Sequence, residues 1–175
     1  MHRFNRKTRV FTVLFSALFL AALIVSVAAA DTKNLKGKVT FDAPAGYTVT
    51  EVAQDQSSAA SIMNPSDPMA NYTVSLVENV PGDLKLMTKD EAATTYSTTG
   101  SDFEMLEYKE TTLGGKKAVL VEYKVTTQGM TLQNRQVMAI SGKDIIMVTS
   151  VFMDMSKVAD ARKTAEAIEK SIAIQ

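Results

Sequence analysis

The sequence predicts an α+β fold, in which an antiparallel β-sheet carries helices on both faces as an α/β/α sandwich. Residues 116–152 contain three runs rich in Val, Ile, Tyr and Thr, joined by short Gly-containing turns, which is the pattern of a strand meander. Both faces of residues 145–148 are apolar, so we expect layers above and below that strand. An apolar stripe at helical spacing predicts a C-terminal helix over about 157–171.

The meander, residues 116–152, has a predicted register. Its second turn, residues 141–144, places Gly142 first in a two-residue loop, as a type II′ turn prefers, and we place the first loop at residues 127–130. In this register apolar residues meet apolar residues and an acid meets a base, whereas a slip by one residue would mix both faces. The predicted neighbours are Ala118 and Ala139, Leu120 and Val137, Glu122 and Arg135, Gln136 and Thr149, Met138 and Met147, and Ile140 and Ile145.

Residues 1–30 have the three parts of a secretory signal peptide. A basic start precedes the apolar run 10–27, and small residues including Ala28 and Ala30 lead to a cleavage site before Asp31. An uncleaved N-terminal anchor is the alternative, because residues 10–30 approach the ~20 residues that span a bilayer. In both cases the rest of the chain is expected to be secreted or extracytoplasmic, in the periplasm or at the cell exterior. Membrane contact would then come only from an uncleaved leader.

The composition limits the partners. The 19 basic and 19 acidic residues balance, but Arg3, Arg6, Lys7 and Arg9 lie in the leader, so residues 31–175 are net acidic. Such a surface suits a monomer that does not bind nucleic acid. The chain has no Cys, which excludes a lipoprotein anchored through an N-terminal cysteine.

Beyond the leader, we expect a flexible N-terminus over residues 31–38 and a single domain over 39–175. Strands are predicted around the bend at Pro44 and Gly46, over 59–63, over 72–78 and over 103–112, with a Pro-interrupted loop at 64–69. Thr88 and Glu91 have the spacing of a capping box, which predicts a short helix that ends near Thr99. In the C-terminal helix, Arg162, Glu166 and Lys170 are spaced for ion pairs on the solvent side.

Three groups of residues carry a resemblance to a known family. They are Phe41, Pro44, Gly46 and Tyr47 near the start, Leu113, Gly115 and Ala118 before the meander, and the strand 142–152 with the helix that ends at Ile172. In these the chain resembles the PsbP-like fold family, and in appearance most of all its bacterial secreted and lipoprotein DcrB-like relatives. The resemblance implies an antiparallel sheet between helices and an accessory or binding role without a shared catalytic motif. The absence of Cys departs from the lipoprotein relatives.

Residue types restrict the possible chemistry. The only His is His2 and there is no Cys, so residues 31–175 cannot form a nucleophilic site that needs either residue or the usual zinc and copper sites. We therefore predict no enzyme activity, no cofactor and no metal. Carboxylate pairs such as Asp102 with Glu104 and Glu107 with Glu110 could serve glycoside chemistry only if they faced a cleft, and solvated strand edges are the favoured explanation.

A polar band crosses the predicted meander. The register places Tyr123, Asn134, Gln136 and Thr149 on one face, and Glu122, Arg135 and Ser150 on the other. One interpretation is that a covering helix ends here and the sheet meets water. The other is a ligand or partner groove with Tyr123, Asn134, Arg135, Gln136, Thr149 and Glu122 as its floor.

These observations predict an extracytoplasmic accessory or interaction module without catalytic activity, which binds a protein or another component of the cell envelope or exterior. A small-molecule or lipid carrier is the alternative, and it requires an apolar cavity. A carboxylate-based enzyme acting on cell-envelope glycans is the further alternative, and it requires two facing carboxyl groups.

Overall fold

The fold is described by a computed structural model for residues 31–175. The predicted leader, with Ala28 and Ala30, lies outside the described residues. Residues 31–175 form a seven-stranded antiparallel sheet, a three-stranded sheet and two α-helices. This is the predicted α+β class.

The large sheet contains the meander at its centre and an N-terminal hairpin group at one side. In the order in which they lie side by side, its strands are β3 (Thr48–Gln54), β4 (Ser57–Asn64), β5 (Asp67–Val77), β9 (Asp144–Phe152), β8 (Met130–Ser141), β7 (Lys116–Thr127) and β6 (Ser101–Leu113). The predicted loop over 64–69 is shorter than expected, because β5 already begins at Asp67 after a turn at residues 65–66. The sheet therefore has two edges, β3 and β6.

The meander of β7, β8 and β9 has the predicted register. Glu122 lies opposite Arg135 and Gln136 opposite Thr149, and the four predicted apolar pairs, which include Met138 with Met147, also match. Gly142 has a φ of +62°, as the first loop position of a type II′ turn requires. The apolar pattern and the turn chemistry together specify this register.

Both helices begin where the sequence predicts. In α1 (Lys89–Tyr96), the Glu91 N–H donates to Thr88 Oγ1 over 3.3 Å, and the Thr88 N–H donates to Glu91 Oε2 over 2.9 Å. This is the capping box, although the helix ends at Tyr96 rather than near Thr99. The second helix, α2 (Val158–Ser171), follows a short 3-10 turn capped by Asp154.

The prediction of a flexible terminus over residues 31–38 was wrong for its first part. Residues 31–35 form β1 (Asp31–Leu35), which pairs along its whole length with β2 (Val39–Ala43), and β10 (Ala173–Ile174) pairs with the other side of β2. The pattern was missed because β1 has a single apolar residue, Leu35, which the structure buries. Its remaining side chains are polar, and backbone pairing with β2 orders them.

The two faces of the large sheet are covered differently. On the first face, α2 and the small sheet pack on the strands, with Ala165, Ile168 and Phe41 fully buried. On the second face, α1 and the segment before it pack through Met87, Ala92 and Tyr96. Each face therefore has its own hydrophobic core, and the polar band of the meander lies between a helix and the sheet on both sides.

Candidate functional site

On the first face, the polar band is a buried ion network beneath α2. Glu122 on β7 and Arg135 on β8 lie opposite each other, with 1% and 6% of their side chains exposed. Arg135 Nη1 donates to Glu122 Oε2 over 3.3 Å, and Gln133 Nε2 donates to the other oxygen of Glu122. Buried charges are tolerated only when they are paired and hydrogen-bonded, and Glu122 has both kinds of partner.

Helix α2 completes this network. Arg135 donates from Nε and Nη2 to the two oxygens of Glu169, over 2.9 and 3.0 Å, which is the bidentate geometry that guanidinium favours. Arg162 reaches back to Glu122 instead of forming the predicted solvent-side pair with Glu166. Burial lowers the pKa of Arg135, but the bonds to Glu169 and the charges of Glu169 and Glu122 raise it by more. The network fixes α2 on the sheet.

On the second face, α1 covers the polar band. The Tyr96 ring stacks on Tyr123 with centroids 4.5 Å apart, and the Tyr96 hydroxyl donates to Gln136 Oε1. Gln136 Nε2 in turn donates to Thr149 Oγ1 over 3.1 Å. Burial raises the pKa of both tyrosines, so that each phenol keeps its proton at neutral pH. Asn134 is also buried here.

The six residues of the predicted groove therefore lie on the expected faces but do not line one open cleft. Glu122 and Arg135 are beneath α2, while Tyr123, Asn134 and Gln136 are buried on the second face, where Tyr96 of α1 covers Tyr123 and Gln136. Thr149 alone among the six is partly exposed. It lies at the boundary between the part of the second face that α1 covers and the part that it does not.

The second face is uncovered where β3, β4, β5 and β9 extend beyond the buried pair of Ala59 and Ser75, toward Met63, Asn71 and Val151. The core beneath α1 includes no residue of β3, β4 or β5. We name this surface the open face. It consists of seven partly or well exposed residues in two cross-strand rows, which are Thr50, Ser61, Thr73 and Thr149, and Met63, Asn71 and Val151.

The open face is uncharged although 22% of the chain is charged. Its polar groups are hydroxyls and one amide. The bond that Asn71 Nδ2 donates to Ser61 Oγ and the bond that Thr73 Oγ1 donates to Asn71 Oδ1 are both long at 3.4 Å. Such long bonds are weak and leave these groups available to a partner. Depletion of charged residues is one part of the compositional signature of the buried core of protein interfaces. The alternation of Ser, Thr and apolar residues in β3 to β5 was the sequence signal that could have indicated this surface.

A cavity of about 250 Å³ lies at the start of α2. Tyr47, Tyr72 and Phe152 contribute rings to its wall, while Asp67, Lys157 and Asp160 line it with charges. The Tyr72 hydroxyl donates to the Ala161 carbonyl, and burial raises its pKa to about 12. Binding pockets for small molecules usually enclose ~300–1,000 Å³ and are mostly apolar, so this cavity is smaller and more charged than a typical carrier site.

The carboxylates that were considered for glycoside chemistry lie along β6. Asp102, Glu104 and Glu110 are exposed, and Glu107 is paired with Lys109 over 2.8 Å. Residues 31–175 contain no group of three or more His, Cys, Asp or Glu side chains placed to hold a metal ion. Within the same residues, no helix has the length and apolar character needed to cross a membrane.

Comparison with known proteins identifies the fold. No protein-family model matches the chain, and no curated protein matches it in sequence. The solution structure of the cyanobacterial PsbP (CyanoP) from Synechocystis sp. PCC 6803 is similar with a TM-score of 0.61 and 14% identity, over 88% of this chain and 98% of that chain.

Two further structures share the fold. The Ran-binding protein Mog1p of Saccharomyces cerevisiae is similar with a TM-score of 0.51 and 13% identity, over 83% of this chain and 96% of that chain. The immunity protein TplEi of the T6SS from Pseudomonas aeruginosa is similar with a TM-score of 0.52 and 10% identity, over 74% of this chain but only 45% of that chain. The chain therefore has a PsbP-like fold.

Proposed function

We propose that this chain is a non-catalytic interaction module that acts outside the cytoplasm and binds a protein partner through the open face. The observation that carries the proposal is the absence of charge from the two cross-strand rows of the open face, which cross β3, β4, β5 and β9 within the described residues. A flat, uncharged surface loses little by desolvation when a partner covers it, because no ion has to leave water.

The comparisons support a binding role without defining a partner. The similar structures include an immunity protein, a Ran-binding protein and a complex of Tle4 with Tli4. The last two are named for the proteins that they bind or assemble with. Function does not follow from fold alone, and the open face is the local argument for this chain. We also propose that the chain is related to the bacterial DcrB-like proteins and that it is located outside the cytoplasm.

Site-specific crosslinking tests the open face directly. A photoreactive amino acid at Thr73, in the middle of the surface, should form an adduct with one partner in intact cells. The same group at Lys163, which is exposed on α2, should not form this adduct. Thr73→Arg should abolish the adduct formed from a neighbouring position such as Ser61, because it places a charge in the interface.

The matched control is Thr111→Arg, which changes a partly exposed Thr on β6 in the same way. This variant should keep the Ser61 adduct. Equal adducts from Thr73 and Lys163, or equal loss in both Arg variants, would count against the open face as the docking surface.

A separate experiment tests the compartment. The intact chain should be processed before Asp31, and the product should be found outside the cytoplasm. Ala30→Arg should leave the chain uncut, because the residue before the cleavage site must be small. An intact chain in the cytoplasmic fraction would contradict the proposed location without bearing on the open face.

The carrier alternative has one site to test, the cavity at the start of α2. It predicts that a lipid or apolar metabolite co-purifies with the protein. Ala161→Phe, which would fill the cavity, should then release that molecule. Because the cavity is small and charged, we favour the interaction module.

A further inference from the structure

The two edges of the large sheet differ in their protection against strand pairing. Edge β6 has two register irregularities, between Ser101 and Glu104 and between Met105 and Glu107, and it carries five charged side chains. Bulges and charges are the features by which proteins block the addition of further strands to an edge. The β6 edge is therefore closed to partners.

Edge β3 has neither feature. All seven of its residues pair with β4 without a register shift, and it contains no Pro, no Lys and a single charged residue, Glu51. Lys36 Nζ occupies the end of the strand by donating to the carbonyls of Gln54 and Asp55. Among the described residues, no other strand pairs with the outer side of β3. The edge is free of bulges, unpaired on its outer side and seven residues long, which is enough to accept a strand.

Glu51 indicates what such a strand should contain. Its side chain is exposed on the first face of the sheet and makes no ion pair within residues 31–175. Directly opposite residues of paired strands lie on the same face, and opposite charges at such positions attract. On the second face, β3 presents the uncharged residues Thr48, Thr50 and Val52. Residues of an added strand on that face would therefore meet no charge.

We infer that β3 takes up an extended segment of a partner protein as an additional antiparallel or parallel strand. The segment has a Lys or Arg opposite Glu51 and uncharged, Thr-like or β-branched residues at the positions that continue the open face. Main-chain hydrogen bonds to the free edge supply affinity, and alternate side chains supply specificity. This inference deepens the proposed function, because the added strand would extend the same surface that the partner covers.

A peptide pair of matched design tests the inference. The probes are the acetylated peptides Thr-Val-Thr-Lys-Thr-Val-Thr and Thr-Val-Thr-Glu-Thr-Val-Thr, titrated into ¹⁵N-labelled protein. The Lys peptide should shift amide resonances of residues 48–54 and should bind about threefold more tightly than the Glu peptide. In Glu51→Lys, the preference between the two peptides should reverse.

Three results would overturn the inference, namely no shifts with either peptide, shifts confined to β6, or an unchanged preference in Glu51→Lys. Glu107→Lys on β6 is the control, and it should leave the preference unchanged. Adduct formation at Thr73 separates this inference from the proposed function. If the peptides fail while the Thr73 adduct forms, the partner uses the open face without adding a strand.

Discussion

Consecutive residues of β8 hold the two helices of residues 31–175. Arg135 points to the first face and binds Glu169 of α2. Gln136 points to the second face and accepts a hydrogen bond from the hydroxyl of Tyr96 on α1. The alternation of side chains along a strand makes this possible, because neighbours in sequence face opposite layers. The polar band thus has a structural role at the centre of the sheet, and each helix is positioned by a polar contact as well as by apolar packing.

Glu122 should be one of the least replaceable residues of the chain. Glu122→Gln keeps the shape but removes the charge that faces both Arg135 and Arg162. Loss of one partner of a buried ion pair usually costs about 3–5 kcal/mol, and we expect the lower end because Glu169 still neutralises Arg135. Urea unfolding of the variant measures the loss.

Glu107→Gln is the matched control, because the Glu107 side chain is 37% exposed and lies 4.0 Å from the same Arg135. It should change the free energy of unfolding by no more than about 1 kcal/mol. Similar losses in the two variants would mean that burial does not set the strength of this network.

At the scale of single elements, the capping box makes α1 sensitive to acid. The backbone N–H of Thr88 and then its hydroxyl, by donating to the carboxylate, hold the pKa of Glu91 below its ordinary value of 4.5. A carboxyl group with a lowered folded pKa contributes stability above its unfolded pKa and loses it as the pH falls through the folded value. Glu91→Gln should therefore destabilise the protein at neutral pH, and the difference from the parent should shrink below pH 4.5.

Urea unfolding of both proteins over a pH series measures this difference. A gap that stayed constant down to strongly acidic pH would show that Glu91 acts by packing rather than through its charge.

In the turn between β6 and β7, substitution by alanine should have different effects at two adjacent glycines. Gly114 has a φ of +54°, and a Cβ atom there would lie 2.7 Å from Cγ1 of Ile174 on β10. Gly115 has a φ of +77° and open space around it. Both alanine variants should lose about 1–2 kcal/mol from left-handed strain, but only Gly114→Ala should also displace β10.

Urea unfolding and amide exchange at residues 173–174 measure the two effects. Combining Gly114→Ala with Ile174→Ala should remove most of the additional loss of Gly114→Ala. Equal stability of Gly114→Ala and Gly115→Ala would contradict the proposed contact.

The elements that could be predicted were those with strong local patterns. Turn glycines and matched apolar pairs determine the register of the meander, and the spacing of Thr88 and Glu91 determines the start of α1. Strand β1 has only Leu35 as an apolar residue, so its order depends on a distant neighbour in space rather than on its own pattern. The pairing of Arg162 with Glu122 likewise depends on how α2 is rotated over the sheet, which periodicity alone does not determine.

At the scale of the whole molecule, the two faces of the sheet differ in how fully other elements cover them. The first face is packed by α2 and the small sheet, and the second face is packed by α1 and the segment before it, which leave the open face uncovered. The sequence pattern indicates the polar band but not the helix that covers it, because α1 has a weakly apolar face and contacts the band through Tyr96. The open face was missed because its Ser and Thr residues resemble an ordinary solvated sheet surface.

This division predicts that α1 opens before α2. Helix α1 has eight residues and buries Ala92 and Tyr96, whereas α2 has fourteen residues, also buries two of them and is held in addition by the bidentate pair of Arg135 and Glu169. Local opening requires less free energy where fewer buried contacts are broken. In native-state hydrogen exchange, amides of residues 89–96 should therefore exchange before those of residues 158–171.

Opening of α1 would also expose Gln136 and Tyr123, which continue the rows of the open face beyond Thr149 and Val151. Thr88→Ala, which removes the cap, should speed exchange in α1 by about fivefold or more, since a lost cap usually costs ~1 kcal/mol, and should leave α2 unchanged. If α1 and α2 exchanged together in a single transition, both cores would form one cooperative unit. The polar band would then be accessible only in the unfolded protein, and a binding role for Tyr123, Asn134 and Gln136 would have no folded state in which to act.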